Sequence, residues 1–424
     1  MTMLPAYVHA MPRGCERGTF VALDVGGSNL RIAVVRFTTN SNESSTREIL
    51  YQTGHALDEA IRNLDGRSFF LWIASQLEGV VAVSRGSGWI DPGVVDIGLT
   101  WSFPLESHSV NTGKILSMGK GFTAISQDII GLDLKTLFED SCAAVGLEVR
   151  LRAVVNDAVA VLLSHLNVDP RRTKIGLIVG TGVNASVLVP STVLDEERLM
   201  RCDPREIERC SDCVINTELS LFGAGVLPRT RWDDEVDAEN EIPGFQPLEM
   251  MCSGRYMPEI ARRIVRDRVL RKRNGQEEAA TGLGRIYGLD AETMSVVEGA
   301  LDVAFARQQL LARVGGTVSI AEVRAMRSVF YAVSCRAAAV IAAALVAVTL
   351  AVLPPETPGG ETGGAGSEVV VAVTGSVIEK YAGFRARVQE FANLLGRRWN
   401  KRLVIAVERD GPLLGGAVGA ACNE

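Results

Sequence analysis

With 424 residues, 47% hydrophobic, 22% charged and 42 glycines, the chain has a globular composition and about three times the length of a common ~150-residue domain. A peptide, a staple-dependent miniprotein and a largely disordered chain are excluded. The 44 Lys and Arg against 50 Asp and Glu leave a net charge of −6, which excludes bulk attraction to nucleic acid or anionic membrane and favours a small polar partner.

The N-terminal segment, residues 1–19, lacks a continuous apolar run of signal-peptide length, and the eight cysteines are scattered. A reduced, intracellular protein is the expectation. From Thr19 to Phe37 the chain reads as β-run, turn and β-run, with Gly26-Gly27-Ser28-Asn29 at the turn. Such a turn lets backbone N–H groups approach an anion with no Cβ in the way, although a plain hairpin has the same pattern.

Apolar spacing predicts helices over Phe69–Val81 and Ile125–Val145, and β-rich runs predict strands over Val94–Pro104 and Val149–Val155. Asn156-Asp157 then ends the strand and precedes a helix over Ala158–Leu166. A carboxylate at such a junction can face a cleft and act as a general base, or it can cap the helix, and position alone leaves both open. Lys174–Pro190 repeats the β-run, turn and β-run, now around Gly180-Thr181-Gly182. The repetition points to an internal duplication whose two turns could face one nucleotide.

Cys210 and Cys213, with Cys202 nearby, have metal-ligand spacing, but no second such pair exists and His9, His55, His108 and His165 all lie elsewhere, so they read as plain cysteines. Helices are predicted over Met257–Arg273, Glu292–Val314 and Ser319–Ala351, and strands over Glu368–Val373 and Arg402–Val407. Residues 262–273 form a basic stretch, read either as a solvated helix face or as an import or acidic-partner patch. The apolar run Ala337–Leu353, broken by Pro354-Pro355, reads as a buried core helix, and Pro354–Ser367 as a surface loop. Alternating strands and helices give α/β layers.

The motifs, taken in order from about Phe20 to the C-terminus, resemble those of the hexokinase family. LDVGGSNLRI resembles its first phosphate motif, SFPLESHSVNTGKILSMGKGF its sugar-binding signature, VVNDAVAVLL the segment with the catalytic aspartate, and IGLIVGTGVNAS the second phosphate motif. INTELSLFG and FQPLEMMCSGRYMPEI resemble the segments that supply sugar-binding glutamates, and VAVTGSVIEKYAGF the adenosine motif.

The resemblance implies an α/β, two-domain actin-like ATPase (ribonuclease H-like) fold with a deep interdomain cleft. The small domain would be 20–156, joined by the last helix 412–424, and the large domain 157–411. The implied reaction moves the γ-phosphoryl of MgATP to the 6-hydroxyl of a hexose such as glucose, the first step of glycolysis, in the cytoplasm or, if the basic stretch serves import, the nucleus. No nucleic acid or membrane span is expected.

By the same resemblance Ser102, Lys120, Asn156, Asp157, Asn184, Glu218 and Glu249 hold the sugar, Asp157 is the base, and Lys120 also neutralises charge on the transferred phosphoryl. Asp24, Gly26, Gly27, Ser28, Asn29 and Arg31 hold the phosphates on one side, Asp24 reaching Mg²⁺ through water; Gly180, Thr181 and Gly182 hold them on the other, with Gly375 and Ser376 beside the nucleotide.

Five features depart from the family pattern. Met118-Gly119 stands where Trp-Thr is usual, Leu219-Ser220 where Trp-Gly is usual, Thr374 replaces an Asp, and Pro412 and Leu413 replace Ser and Gly. These departures predict weakened ATP use on the adenosine side. They motivate a rival reading as a catalytically weak sugar sensor, beside a third as an ATPase with another acceptor.

Overall fold

The structure, a computed structural model, describes residues 2–8, 10–39, 45–118, 122, 128–193, 212–270, 281–353 and 368–423. Lys120, Gly119, Cys202, Cys210, Arg271, Lys272, Arg273 and the loop 354–367 lie outside the described residues.

The first half runs β1 (Leu4–Pro5), β2 (Gly18–Val25), β3 (Asn29–Thr39), β4 (Ser45–Ala56), α1 (Glu59–Arg62), α2 (Gly66–Gly86), β5 (Val95–Trp101), β6 (Leu105–Ser107), β7 (Gly113–Ile115), α3 (Leu134–Ala144), β8 (Val149–Val155) and α4 (Asp157–Leu166). The second runs β9 (Thr173–Val179), β10 (Val183–Pro190), β11 (Asp212–Asn216), α5 (Arg231–Ala238), α6 (Pro247–Cys252), α7 (Tyr256–Arg268), α8 (Ala291–Gly299), α9 (Val303–Val314), α10 (Ile320–Val352), β12 (Glu368–Thr374), α11 (Ser376–Lys380), α12 (Phe384–Gly396), β13 (Arg402–Val407) and α13 (Gly411–Cys422).

Two sheets carry the duplication read from the sequence. The first has strand order β4-β3-β2-β5-β8 and the second β1-β11-β10-β9-β12-β13. In each, an antiparallel hairpin (β2 with β3, β9 with β10) is extended on its first strand by two parallel strands. Because β2, β5 and β8 run the same way, Gly26, Ser102 and Asn156 all follow carboxyl ends at one edge of the first sheet. Gly180, Gly375 and Glu408 follow the carboxyl ends of β9, β12 and β13 in the second. Ligands of open α/β sheets bind outside such ends.

Period-two alternation divides β2 between two cores. Val21, Leu23 and Val25 pack with Phe69, Phe70 and Ile73 of α2. Phe20 and Ala22 point the other way, into a cluster with Val159 of α4 and Leu413 and Val418 of α13. Both faces of the sheet are covered, which is why its strands read as nearly unbroken apolar runs.

The second of these cores is the seam between the sheets. Helix α4 follows the passage after β8 and packs on β9, while α13 follows the passage after β13 and packs on β2, β5 and β8. Here backbone meets backbone: a Cβ on Gly415 would sit 1.8 Å from the Ala160 carbonyl oxygen. Only glycine allows that approach.

Several sequence expectations change. The helix predicted over Ile125–Val145 begins only at Leu134, because Gly131 takes φ 82° and the Asp133 side chain accepts from the Thr136 amide as an N-cap. The helix predicted over Glu292–Val314 is two: α8 ends at Gly299, and Asp302 caps α9 through the Phe305 amide at 2.9 Å. The basic stretch is not uniformly a solvated face. Arg262 is 1% exposed and forks onto Glu259 at 2.7 and 2.5 Å, and Arg263 pairs with Glu259 and Glu239.

The 33-residue α10 starts with a capping box between Ser319 and Glu322. It packs against α7 and α12 in the largest core cluster, and half of its apolar stretch is buried.

Candidate active site

The strand-to-helix junction after β8 separates the two roles open for Asp157. Asn156 is the N-cap, its side chain accepting from the Ala158 amide at 2.9 Å, and Asp157 occupies the first helical position. Asp157 Oδ1 takes a share of the same amide at 2.9 Å. Among the described residues its Oδ2 has no hydrogen-bond partner, and the side chain is half-buried. Asn156 is thus the cap, with Asp157 Oδ1 sharing the same amide.

From this junction a chain of amides and acids runs into the second sheet. Asn184 Nδ2 donates to Asn156 Oδ1 at 3.3 Å and to Asn216 Oδ1 at 3.0 Å, and Asn216 Nδ2 donates to Glu218 Oε1 at 2.8 Å. Glu218 stands at φ 51°, in the left-handed region that non-glycine residues seldom occupy, as does Gln246 at φ 54° just before α6. Backbone strain of this kind concentrates at functional sites.

Glu249, in the first turn of α6, accepts from the Val183 amide at 2.8 Å. A Cβ on Gly182 would sit 2.7 Å from the same carboxylate oxygen, so glycine there makes room for the acid. Burial pushes the neighbouring Tyr256 phenol above its ordinary value, with Arg255 opposing and Tyr287 and Glu249 adding to the shift. The structure therefore brings Asn156, Asp157, Asn184, Glu218 and Glu249 into one set, and Asn216 joins them. Sequence reasoning missed Asn216, although it sits two residues before Glu218 at a strand end.

On the first sheet, Ser102 follows β5 and its amide donates to the Val25 carbonyl at 3.1 Å, beside the first glycine turn. The turn closes through the Gly26 amide to the Asn29 carbonyl at 3.0 Å. Gly26 and Gly27 are half-buried, while Ser28 and Asn29 are exposed at its tip. Arg31 Nε and Nη2 bond Asp24 at 3.0 and 2.7 Å and its Nη1 bonds Asp410 at 2.9 Å, so the guanidinium is shared by two carboxylates beside the first glycine turn. Asp410, absent from the sequence-based set, is also at positive φ, 54°, as the N-cap of α13.

The second glycine turn closes through the Gly180 amide to the Gly182 carbonyl at 2.9 Å and leaves Thr181 exposed. Parallel pairing of β12 with β9 brings Gly375 and Ser376 alongside: a Cβ on Gly180 would lie 3.5 Å from the Ser376 amide nitrogen. Glu379 Oε1 accepts from both the Gly375 amide at 2.8 Å and the Thr374 hydroxyl at 2.9 Å.

The departures are absorbed by the fold. Thr374 is bonded within its own turn, and Met118 packs in the core of the first half at 4% exposure. Leu219 and Ser220 are buried. Pro412 accepts a hydrogen bond on its carbonyl from Thr100 Oγ1 at 2.6 Å, and Leu413 is fully buried in the seam. The expectation that Leu413 adds bulk beside a nucleotide is therefore corrected: its side chain fills the α4–α13 core.

Among the described residues no cluster of three or more His, Cys, Asp or Glu is arranged to hold a metal ion. Mg²⁺ carried on phosphates keeps most of its waters and needs only one or two carboxylates, and the buried Asp24 beside the first turn could supply one.

Family models described as Hexokinase match residues 1–166 and 174–422. Hexokinase-1 of Oryza sativa subsp. japonica is 31% identical, covering 100% of this chain and 83% of its own. N-acetylglucosamine kinase 1 of Candida albicans is 28% identical, covering 100% of this chain and 86% of its own. Among solved structures, the Schistosoma mansoni hexokinase complexed with glucose superposes with a TM-score of 0.79 at 27% identity, covering 99% of this chain and 88% of that one.

Proposed function

The chain belongs to the hexokinase family and is an ATP-dependent hexose kinase, and we propose that glucose is its acceptor and Asp157 its general base. The observation that carries this reading is the linked set Asp157–Asn156–Asn184–Asn216–Glu218, with Glu249 tied to the second glycine turn. A hexose presents several donors and acceptors on one small ring. Amides and ionised carboxylates can pair each of them, and an analogue lacking one hydroxyl leaves a buried partner unmatched at about 1–3 kcal/mol.

In the reaction the 6-oxygen attacks the γ-phosphorus, the bond from that phosphorus to the β,γ-bridging oxygen breaks, and the hydroxyl proton passes to Asp157 Oδ2. ADP leaves with the bridging electrons. The amides of Gly26–Asn29 and Gly180–Gly182 would cradle the phosphates. Asp24 is the residue that would hold Mg²⁺, through water, and the ion would supply neutralisation of phosphate charge. Arg31 fixes the Asp24 carboxylate and ties it to the start of α13. Lys120 carries the same assignment as in the sequence reading and is outside the described residues.

Closure of the two sheets over the sugar would exclude water and protect ATP from hydrolysis. The same reading places the protein in the cytoplasm at the first step of glycolysis, supported by six described cysteines that are all free thiols. A coupled ADP-release assay with and without glucose tests it. Sugar-dependent ADP release is the expected result, and ADP release indifferent to sugar would refute it.

A further inference from the structure

The chain passes between the sheets three times: after β1, through Asn156 between β8 and α4, and through residues 408–410 between β13 and α13. One side chain from elsewhere in the fold reaches the elements beside the last two passages. Arg47 lies on β4, opposite Phe37 of β3, and so belongs to the first sheet. Its Nη1 donates to the Ser164 carbonyl at 2.6 Å and hydroxyl oxygen at 2.8 Å near the end of α4, and its Nη2 pairs with Glu408 Oε1 at 2.5 Å.

Ser164 closes the triangle by donating to the same Glu408 oxygen at 2.8 Å, and the Glu408 amide donates to the Val373 carbonyl of β12 at 2.8 Å. Ser164 is fully buried and Glu408 is 4% exposed. His165 sits beside the triangle, bonded to Thr173 at the start of β9, with Asp169 and Arg172 as its other charged neighbours. A charged fork in such a place cannot exchange its partners for water as a surface pair does.

We infer that Arg47, through Glu408 and Ser164, is a positioning residue that makes the two crossings move as one hinge when sugar draws the sheets together. This rests on the hexose-kinase reading of the cleft. Arg47 touches none of the residues assigned to sugar or phosphate, so its effect is on the coupling of sugar binding to closure and not on the chemical step. Without it, only the Ser164–Glu408 hydrogen bond joins α4 to the Glu408 segment and neither is tied to β4, so part of the sugar's binding energy goes into aligning them.

The test compares the unaltered chain with Arg47→Met, Arg47→Lys, Glu408→Gln and the double variant Arg47→Met/Glu408→Gln. Initial rates against glucose and ATP are measured together with the glucose-induced change in tryptophan fluorescence, Trp101 being adjacent to Ser102. Arg47→Met should raise KM for glucose about five- to twentyfold, with kcat falling less than about threefold and KM for ATP little changed. Arg47→Lys should recover part of the loss, since an ammonium reaches one partner where the fork reaches two. The double variant should be no worse than Arg47→Met alone, because both remove one coupled unit.

An unchanged glucose KM and fluorescence midpoint in Arg47→Met overturns the inference, as do independent, multiplying effects of the two single changes. Should Arg47→Met fail to fold, Arg47→Lys decides by the same two readouts. Failure of the hexose reading looks different: the unaltered chain itself would show neither sugar-dependent ADP release nor a fluorescence change, and the clamp would fall with it.

Discussion

The Oε2 atom of Glu249 accepts a hydrogen bond from the amide of Val183 at 2.8 Å, so an acid assigned to the sugar is fastened to the strand that leaves a turn assigned to phosphate. Glu218 is bonded to Asn216 at the end of β11, and the next residue's amide donates to Asn184 of the same strand β10.

Glu218→Ala and Glu249→Ala should each weaken glucose binding by about 1–3 kcal/mol, since each leaves sugar hydroxyls without an ionised acceptor. Glu249→Ala should also raise KM for ATP, because the Val183 amide loses its acceptor and the Gly180–Gly182 turn loosens. Calorimetry and initial-rate measurements check both parts. Parental glucose affinity in both variants would show that these acids stand outside the sugar site.

Asp157→Asn should lower turnover by at least ~10² while leaving most sugar affinity in place, because a general base acts mainly in the transition state. The helix should survive, since Asn156 is its cap. Wild-type-like turnover in the folded variant removes Asp157 from the chemistry.

Restoring the family's residues near the nucleotide should not improve this protein. Thr374→Asp places a second carboxylate where Thr374 Oγ1 lies 2.9 Å from Glu379 Oε1, so like charges meet and the apparent KM for ATP should stay level or rise. Leu413→Gly removes a buried side chain from the seam and adds backbone freedom to a helix, at about 3–5 kcal/mol together. Thermal melting and ATP titration decide: a lower KM for ATP with unchanged melting would mean these positions do face the nucleotide.

Acid should attack the second half through Asp233. Burial alone would push its carboxyl up, but the fork from Arg336 at 2.8 Å and the Thr230 hydroxyl and amide outweigh it and leave it below the ordinary 3.8. With the folded value depressed, the pair's contribution is present above 3.8 and is lost as pH falls through the folded value. Asp233→Asn should lower stability near neutrality and flatten the stability–pH curve below about pH 4. Denaturant titrations at several pH values measure this, and parallel curves for the two proteins would exclude it.

How much of this was legible beforehand follows from the range of each interaction. Hairpins around Gly26 and Gly180 and the junction at Asp157 are local patterns, so their strands and helix fall where the sequence puts them. Strand β4 was missed because SSTREILYQTGHA mixes charge with apolar residues on an edge strand. The apolar content of residues 292–314 hides the break at 300–302, which Gly299 and the Asp302 cap mark. The misreading of Leu413 and the unforeseen Arg31–Asp410 pair concern residues whose partners are distant in sequence. Arg31 meets Asp410 across 379 positions, and nothing in LRIAVV or DGPLLGG announces that meeting.

The close approach of Gly415 to Ala160 gives the hinge the character of a plain bearing. Interlocked side chains would act as gear teeth, resisting small rotations and then slipping by whole turns. Smooth backbone surfaces at that point offer no such ratchet, so opening and closing can be continuous and nearly free of internal friction. The same smoothness makes the bearing intolerant of grit: a single added methyl at Gly415, 1.8 Å from the opposing carbonyl oxygen, would prise α13 from α4 and stop the motion however intact the cleft remained.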